Sequence, residues 1–164
     1  MKWILLIALL LIAAGGFLLY LFKPKQRKRT ESIYTHALNA MVRGDTRTAL
    51  KHLRDVVKQD TNHIDAYLQM GDILREEDNA QAAIKIHQSL TVRPNLNNEI
   101  KRDIHQSLAR DFMQIGQLNK AQREAELVLK LDRKSIWANE FLLNIFEKQR
   151  NWDQATQITK SIQK

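Results

Sequence analysis

The sequence predicts an all-α protein in which an N-terminal membrane-crossing helix leads into about four helix–turn–helix units forming an α-solenoid. Three observations predict it. Residues Trp3 to Phe22 are an uncharged apolar run, the remainder places apolar residues at helical spacing without strand-like alternation, and alanines 49, 83, 121 and 155 recur at intervals of 34, 38 and 34 residues.

The first element is the run WILLIALLLIAAGGFLLYLF. As a helix its 20 positions would reach about 30 Å, the thickness of a bilayer core. A signal peptide has a shorter apolar region and lacks so basic an exit, so a retained anchor over 1–22 is expected. Trp3 and Tyr20 fall near the two ends, where amphipathic rings favour the headgroup layer. The following segment, 23–29, carries Lys23, Lys25, Arg27, Lys28 and Arg29 and no acid, against Lys2 alone before the run. Basic residues stay on the cytoplasmic side, so the C-terminal part is expected in the cytoplasm, on a single-pass protein of a bacterial inner membrane.

This segment also explains the charge. The chain of 164 residues has a formal charge of +8, but residues 1–29 hold six basic groups and no acidic one, leaving 20 basic against 18 acidic beyond them. The excess is placed to meet anionic lipid headgroups, so no nucleic-acid partner is implied. The absence of cysteine excludes disulfides, thiolate metal sites and a cysteine nucleophile. The five histidines form no HExxH pair, and no Gly-rich phosphate cradle is present, so neither catalytic residues nor a metal or other cofactor are expected. His87, at a core place of its repeat, is expected to be an interior, hydrogen-bonded histidine.

Residues 30–164 divide into repeats near 30–63, 64–101, 102–135 and 136–164. Each recurring alanine opens an apolar run after a polar turn, in the segments GDTRTA, DNAQAA, GQLNKA and RNWDQA, whose Gly, Asp and Asn suit helix ends and starts. The four-residue excess between the second and third repeats falls in RPNLNNEI and predicts a longer loop or an extra helical turn. A 34-residue helical unit with alanine at its twentieth place resembles the tetratricopeptide repeat. The second unit fits best, with Tyr67, Met70, Gly71, Leu74, Ala83 and Leu90; the third offers Leu108, Ala109, Phe112, Ala121, Ala125 and Val128. Small residues at these places let paired helices approach closely. The first unit matches less well, with Ala40 where a bulky residue is expected, and the fourth has Leu143 where a small one is, which predicts looser or shifted packing in the fourth.

Between Gly71 and Lys130 the resemblance narrows. The segments GDILREEDNAQAAIKIHQSL and DIHQSLARDFMQIGQLNKAQREAELVL, with Ile86, His87, Gln88, Phe112 and Gly116, resemble the lipopolysaccharide assembly protein B family. In that family one membrane helix precedes cytoplasmic tetratricopeptide repeats. The resemblance implies an adaptor without enzymatic activity, a tethered scaffold that helps a membrane-bound AAA protease degrade the lipid A deacetylase and so regulates lipopolysaccharide synthesis. Full-length members carry further repeats and a rubredoxin-like metal domain with paired CxxC motifs, whereas this chain has no cysteine. A scaffold for another inner-membrane complex would share every feature except the Ile-His-Gln segment.

In such repeats the first helices line a groove with their second, fifth, ninth, twelfth and thirteenth places. Carried onto this sequence, these places include Tyr34, Leu38 and Met41, then Leu68, Asp72, Arg75 and Glu76, then Gln106, Arg110 and Met113, and finally Trp137 and Glu140. They are the expected partner-binding residues, an apolar entrance grading into a mixed polar interior. Trp3, Tyr20, Lys23, Lys25, Arg27, Lys28 and Arg29 are the expected membrane-interface residues.

Overall fold

The computed structural model describes residues 2–162, with side chains placed for 3, 7–18 and 29–160. Among the described residues there are eight α-helices and no strand: α1 (Lys2–Val42), α2 (Thr46–Gln59), α3 (Ile64–Glu76), α4 (Ala80–Thr91), α5 (Asn98–Gln114), α6 (Leu118–Leu131), α7 (Ile136–Lys148) and α8 (Trp152–Ile162). They group into two compact units, Met1–Ala66 and Tyr67–Lys164.

The helices form where sequence places an apolar stripe between polar turns. In α2 the buried residues are Ala49, Leu50, Leu53 and Val56, and in α4 they are Ala80, Ala83, Ile84, His87 and Leu90, each set following one face of a 3.6-residue helix. All four recurring alanines are buried. Their small side chains let paired helices approach closely.

The four tight turns share one hydrogen-bonding scheme. At the first, Gly44 N donates to Met41 O and Asp45 N to Ala40 O; the pairs repeat as Asp78 to Arg75 with Asn79 to Leu74, Gly116 to Met113 with Gln117 to Phe112, and Arg150 to Glu147 with Asn151 to Phe146. These two hydrogen bonds, one from a left-handed residue and one from the residue after it, satisfy orphan carbonyls of the helix end. The left-handed residue is glycine in two turns (Gly44, φ 72°; Gly116, φ 74°) and Asp78 and Arg150 in the others (φ 60° and 55°). The next residue starts the second helix. Asp45, Asn79 and Asn151 accept from the backbone N–H three places on, whereas Gln117 makes no such bond.

In the first unit, α1 and α2 bury Ala37 and Ala40 with Ala49, Leu53 and Val56. Ala40, where a bulky residue was expected, is fully buried, so the small side chain is met by close packing. Trp3, Ile7, Leu9, Leu10, Leu11, Ile12, Phe17 and Leu18 expose their apolar side chains around α1. Among the described residues no helix is long and apolar enough to cross a membrane. The expected anchor, however, includes positions 4–6 and 19–22, whose side chains lie outside the described residues, as do those of Tyr20, Lys23, Lys25, Arg27 and Lys28. Arg29 is exposed.

In the second unit each helix from α4 onward packs on the next. The four-residue excess is resolved as an extra helical turn: α5 has 17 residues against 13 in α3 and α7, starting early behind an Asn97 side chain that accepts from Ile100 N at 2.8 Å. At the far end Ala125, Leu142, Phe146 and Ala155 form a core with Leu129, Phe141, Leu143 and Ile158 against it. Leu143 is thus moved to the margin of the core, the shift that its bulk predicted.

Candidate functional site

In the second unit α3, α5 and α7, the first helices of successive pairs, carry two side-chain clusters. The inner one begins at Gly71. A Cβ there would lie 2.3 Å from Nε2 and 2.6 Å from Cε1 of the His87 ring, so only glycine lets α4 bring that imidazole against α3.

His87 is fully buried, with Nδ1 2.6 Å from Asp111 Oδ2 and Nε2 3.3 Å from the Leu68 carbonyl oxygen. A carbonyl can only accept, so Nε2 carries hydrogen and donates to it. The Nδ1 contact ties the imidazole to the Asp111 carboxyl group. The other oxygen of Asp111, also fully buried, accepts from Arg75 Nη1 at 3.2 Å, and the same guanidinium nitrogen donates to Asp72. Ser107 Oγ donates to Asp72 at 3.2 Å, and Gln114 Nε2 donates to the Arg75 carbonyl at 3.0 Å and to Asp78 at 3.1 Å.

Burial works against the charge of Arg75, but the adjacent carboxylates of Asp72 and Asp111 outweigh it and raise its pKa above the ordinary arginine value. This cluster joins α3, α4 and α5 through charge-assisted bonds. Removing one member of such a set leaves a buried charge unpaired, at a cost of about 3–5 kcal/mol. Its fully buried imidazole, bonded to α3 and α5, is suited to holding helices in register.

The outer cluster lies between α5 and α7. The Arg110 guanidinium sits over the Trp137 ring, 5.2 Å from its centroid, and that ring stacks on Phe141 at 4.8 Å and 24°. All three side chains are partly open to solvent.

The expected groove residues therefore separate. Asp72 and Arg75 are brought together but are engaged with one another and with Asp111. Leu68 is only 9% exposed and belongs to the core, with its carbonyl bound to His87; it is not an open groove residue as expected. Arg110 and Trp137 meet. Gln106 and Met113 are partly buried, and Glu76 and Glu140 are exposed. In the first unit, Leu38 is exposed, Met41 is partly buried, and Tyr34 packs its ring 4.5 Å from that of His63. Burial foremost, then Asp65 and Glu31, raise the Tyr34 pKa. Asp111, Ser107 and Phe141 were missed. The signal for Asp111 was an acid between Ala109 and Phe112 in the core register, one repeat after a histidine in the core register.

No family model matches the chain. It is distantly related to lipopolysaccharide assembly protein B over most of its length: 25% identity over 142 residues with the Escherichia coli K12 protein, covering 87% of this chain and 36% of that one, and 27% over 176 aligned positions with the Haemophilus influenzae protein, covering 97% and 44%. The chain thus spans less than half the length of these relatives. Among solved structures it is similar to MamA, with a TM-score of 0.71 at 22% identity over 81% of this chain and 75% of that one. It is also similar to YrrB, described as a tetratricopeptide repeat protein with an unusual peptide-binding site, at a TM-score of 0.64 and 14% identity over 81% and 66%. The fold is that of the tetratricopeptide repeat.

Proposed function

We propose that the chain is a membrane-anchored adaptor without catalytic activity, whose repeats face the cytoplasm and recruit the lipid A deacetylase to a membrane AAA protease, thereby regulating lipopolysaccharide synthesis. The observation that carries this reading is the relationship to lipopolysaccharide assembly protein B across most of the chain, repeat region included. Three features support it. The apolar run Trp3–Phe22, with exposed apolar side chains at 7, 9–12, 17 and 18, suits a lipid surrounding, and the basic residues that follow suit the cytoplasmic face. The first helices of the second unit present partly open side chains, Arg110 and Trp137 among them. The buried ionic cluster gives the second unit a fixed geometry for recognition, which lowers the ordering cost of binding.

The test is the abundance of the lipid A deacetylase in a strain deleted for this chain. A rise, reversed by the wild-type gene but not by one lacking residues 1–22, is the expected result. An unchanged level removes the deacetylase from the proposal. The second reading, a scaffold for another inner-membrane complex, would gain if crosslinking of the membrane-embedded chain recovered such a complex and neither the protease nor the deacetylase.

A further inference from the structure

The two arginines on the first helices of the second unit are in opposite states. Arg75 is consumed, its guanidinium divided between Asp72 and Asp111. Arg110, two turns along α5 from the start of its buried stretch and adjacent to Asp111, has neither ion pair nor hydrogen bond among the described residues; its guanidinium lies over the Trp137 ring. A guanidinium over an indole face is attracted by the ring while its N–H donors remain available for hydrogen bonds. Trp137 is itself fixed by Phe141. The result is a prearranged cation on an aromatic ledge with its hydrogen bonds unmade, and a planar fork of N–H donors matches the two oxygens of a carboxylate.

We infer that the Arg110–Trp137–Phe141 ledge binds the side-chain carboxylate of an Asp or Glu in a partner peptide, with an apolar neighbour of that acid lying on the open edges of the two rings. Glu140, exposed one turn after Trp137, repels a run of acids, so the fit is a single carboxylate bordered by apolar or basic residues. This rests on the reading that the repeats bind protein, and it names what they recognise.

The test uses the full chain in lipid nanodiscs and pools of nine-residue, acetylated and amidated peptides, with Glu, Asp or Gln fixed at the centre and mixtures of Leu, Phe, Ser and Lys elsewhere. Wild-type protein should retain the Glu and Asp pools about tenfold more than the Gln pool, the scale of one charge-assisted bidentate contact. Arg110→Gln should abolish that preference with an unchanged melting temperature, Arg110→Lys should restore part of it, and Trp137→Leu should weaken it. Equal retention of all pools, including none of any, overturns the inference. So does a Gln pool with free C-termini being retained like the Glu pool, because the occupant would then be a chain terminus. The adaptor reading fails separately. Crosslinking that recovers the deacetylase or protease equally with wild type and Arg110→Gln sinks the ledge and keeps the adaptor, whereas an intact pool preference with neither protein recovered does the reverse.

Discussion

Gly71 and His87 stand in one contact, and each explains the other. The imidazole fills the space that a side chain at 71 would need, and its two nitrogens tie the Leu68 carbonyl to the Asp111 carboxylate. A methyl group at 71 must displace the ring from both partners. Gly71→Ala should therefore cost about 1–3 kcal/mol by overpacking. In a His87→Ala background the three atoms nearest the new methyl group are gone, so its cost should fall, giving a coupling of at least about 1 kcal/mol. Urea unfolding of the two single variants and the double variant measures this, and additive costs would refute the contact. The same residue-scale view separates Arg75 from Arg110. Both occupy expected groove places, but altering the first tests folding and altering the second tests binding.

Elements begin and end here by local chemistry. The four turns at Gly44, Asp78, Gly116 and Arg150 use one hydrogen-bond scheme although two of them lack glycine. A side chain other than glycine in the left-handed region costs about 1–2 kcal/mol. Arg150→Gly should thus raise stability by about 1 kcal/mol, part of which is offset by the freedom glycine adds to the unfolded chain; a lower melting temperature would contradict this. At the start of α2, hydrogen bonds from Thr48 hold the Asp45 carboxyl below its ordinary pKa. A group whose folded pKa is depressed contributes stability that is complete above its unfolded value and is lost as pH falls through the folded one. Asn at this place accepts the same backbone bond without titrating. Melting temperatures of wild type and Asp45→Asn should therefore differ near neutral pH and converge in acid, below the ordinary carboxylate range. A difference independent of pH would show that the carboxylate charge plays no part. These turns were legible in the sequence because they depend on residues within five places of one another. The extra turn of α5 was legible as an excess of four residues, but whether it became loop or helix was settled by Asn97 capping Ile100.

At the scale of the molecule, stability in repeat architectures is a sum of local interfaces, so protection should follow burial. α5 buries six residues, whereas α8 buries Ala155 alone among its described side chains and leaves Trp152 exposed. Hydrogen exchange should accordingly be faster in α8 than in α5 by about tenfold or more, the contrast expected between a locally opening element and a core one. Equal protection would mean that α8 is held by more than its contact with α7. The sequence by itself determined the helical class, the repeat period, the turn positions, the buried alanines and the inward place of His87, because each depends on spacing along one helix or across one turn. Only the tertiary structure decided which groove residues are engaged and which are open. Arg75 meets Asp111 across 36 positions and Arg110 meets Trp137 across 27, and pairings at that separation are set by how helices pack. Spacing placed both arginines on the same face; packing gave Arg75 its carboxylates and left the donors of Arg110 unfilled.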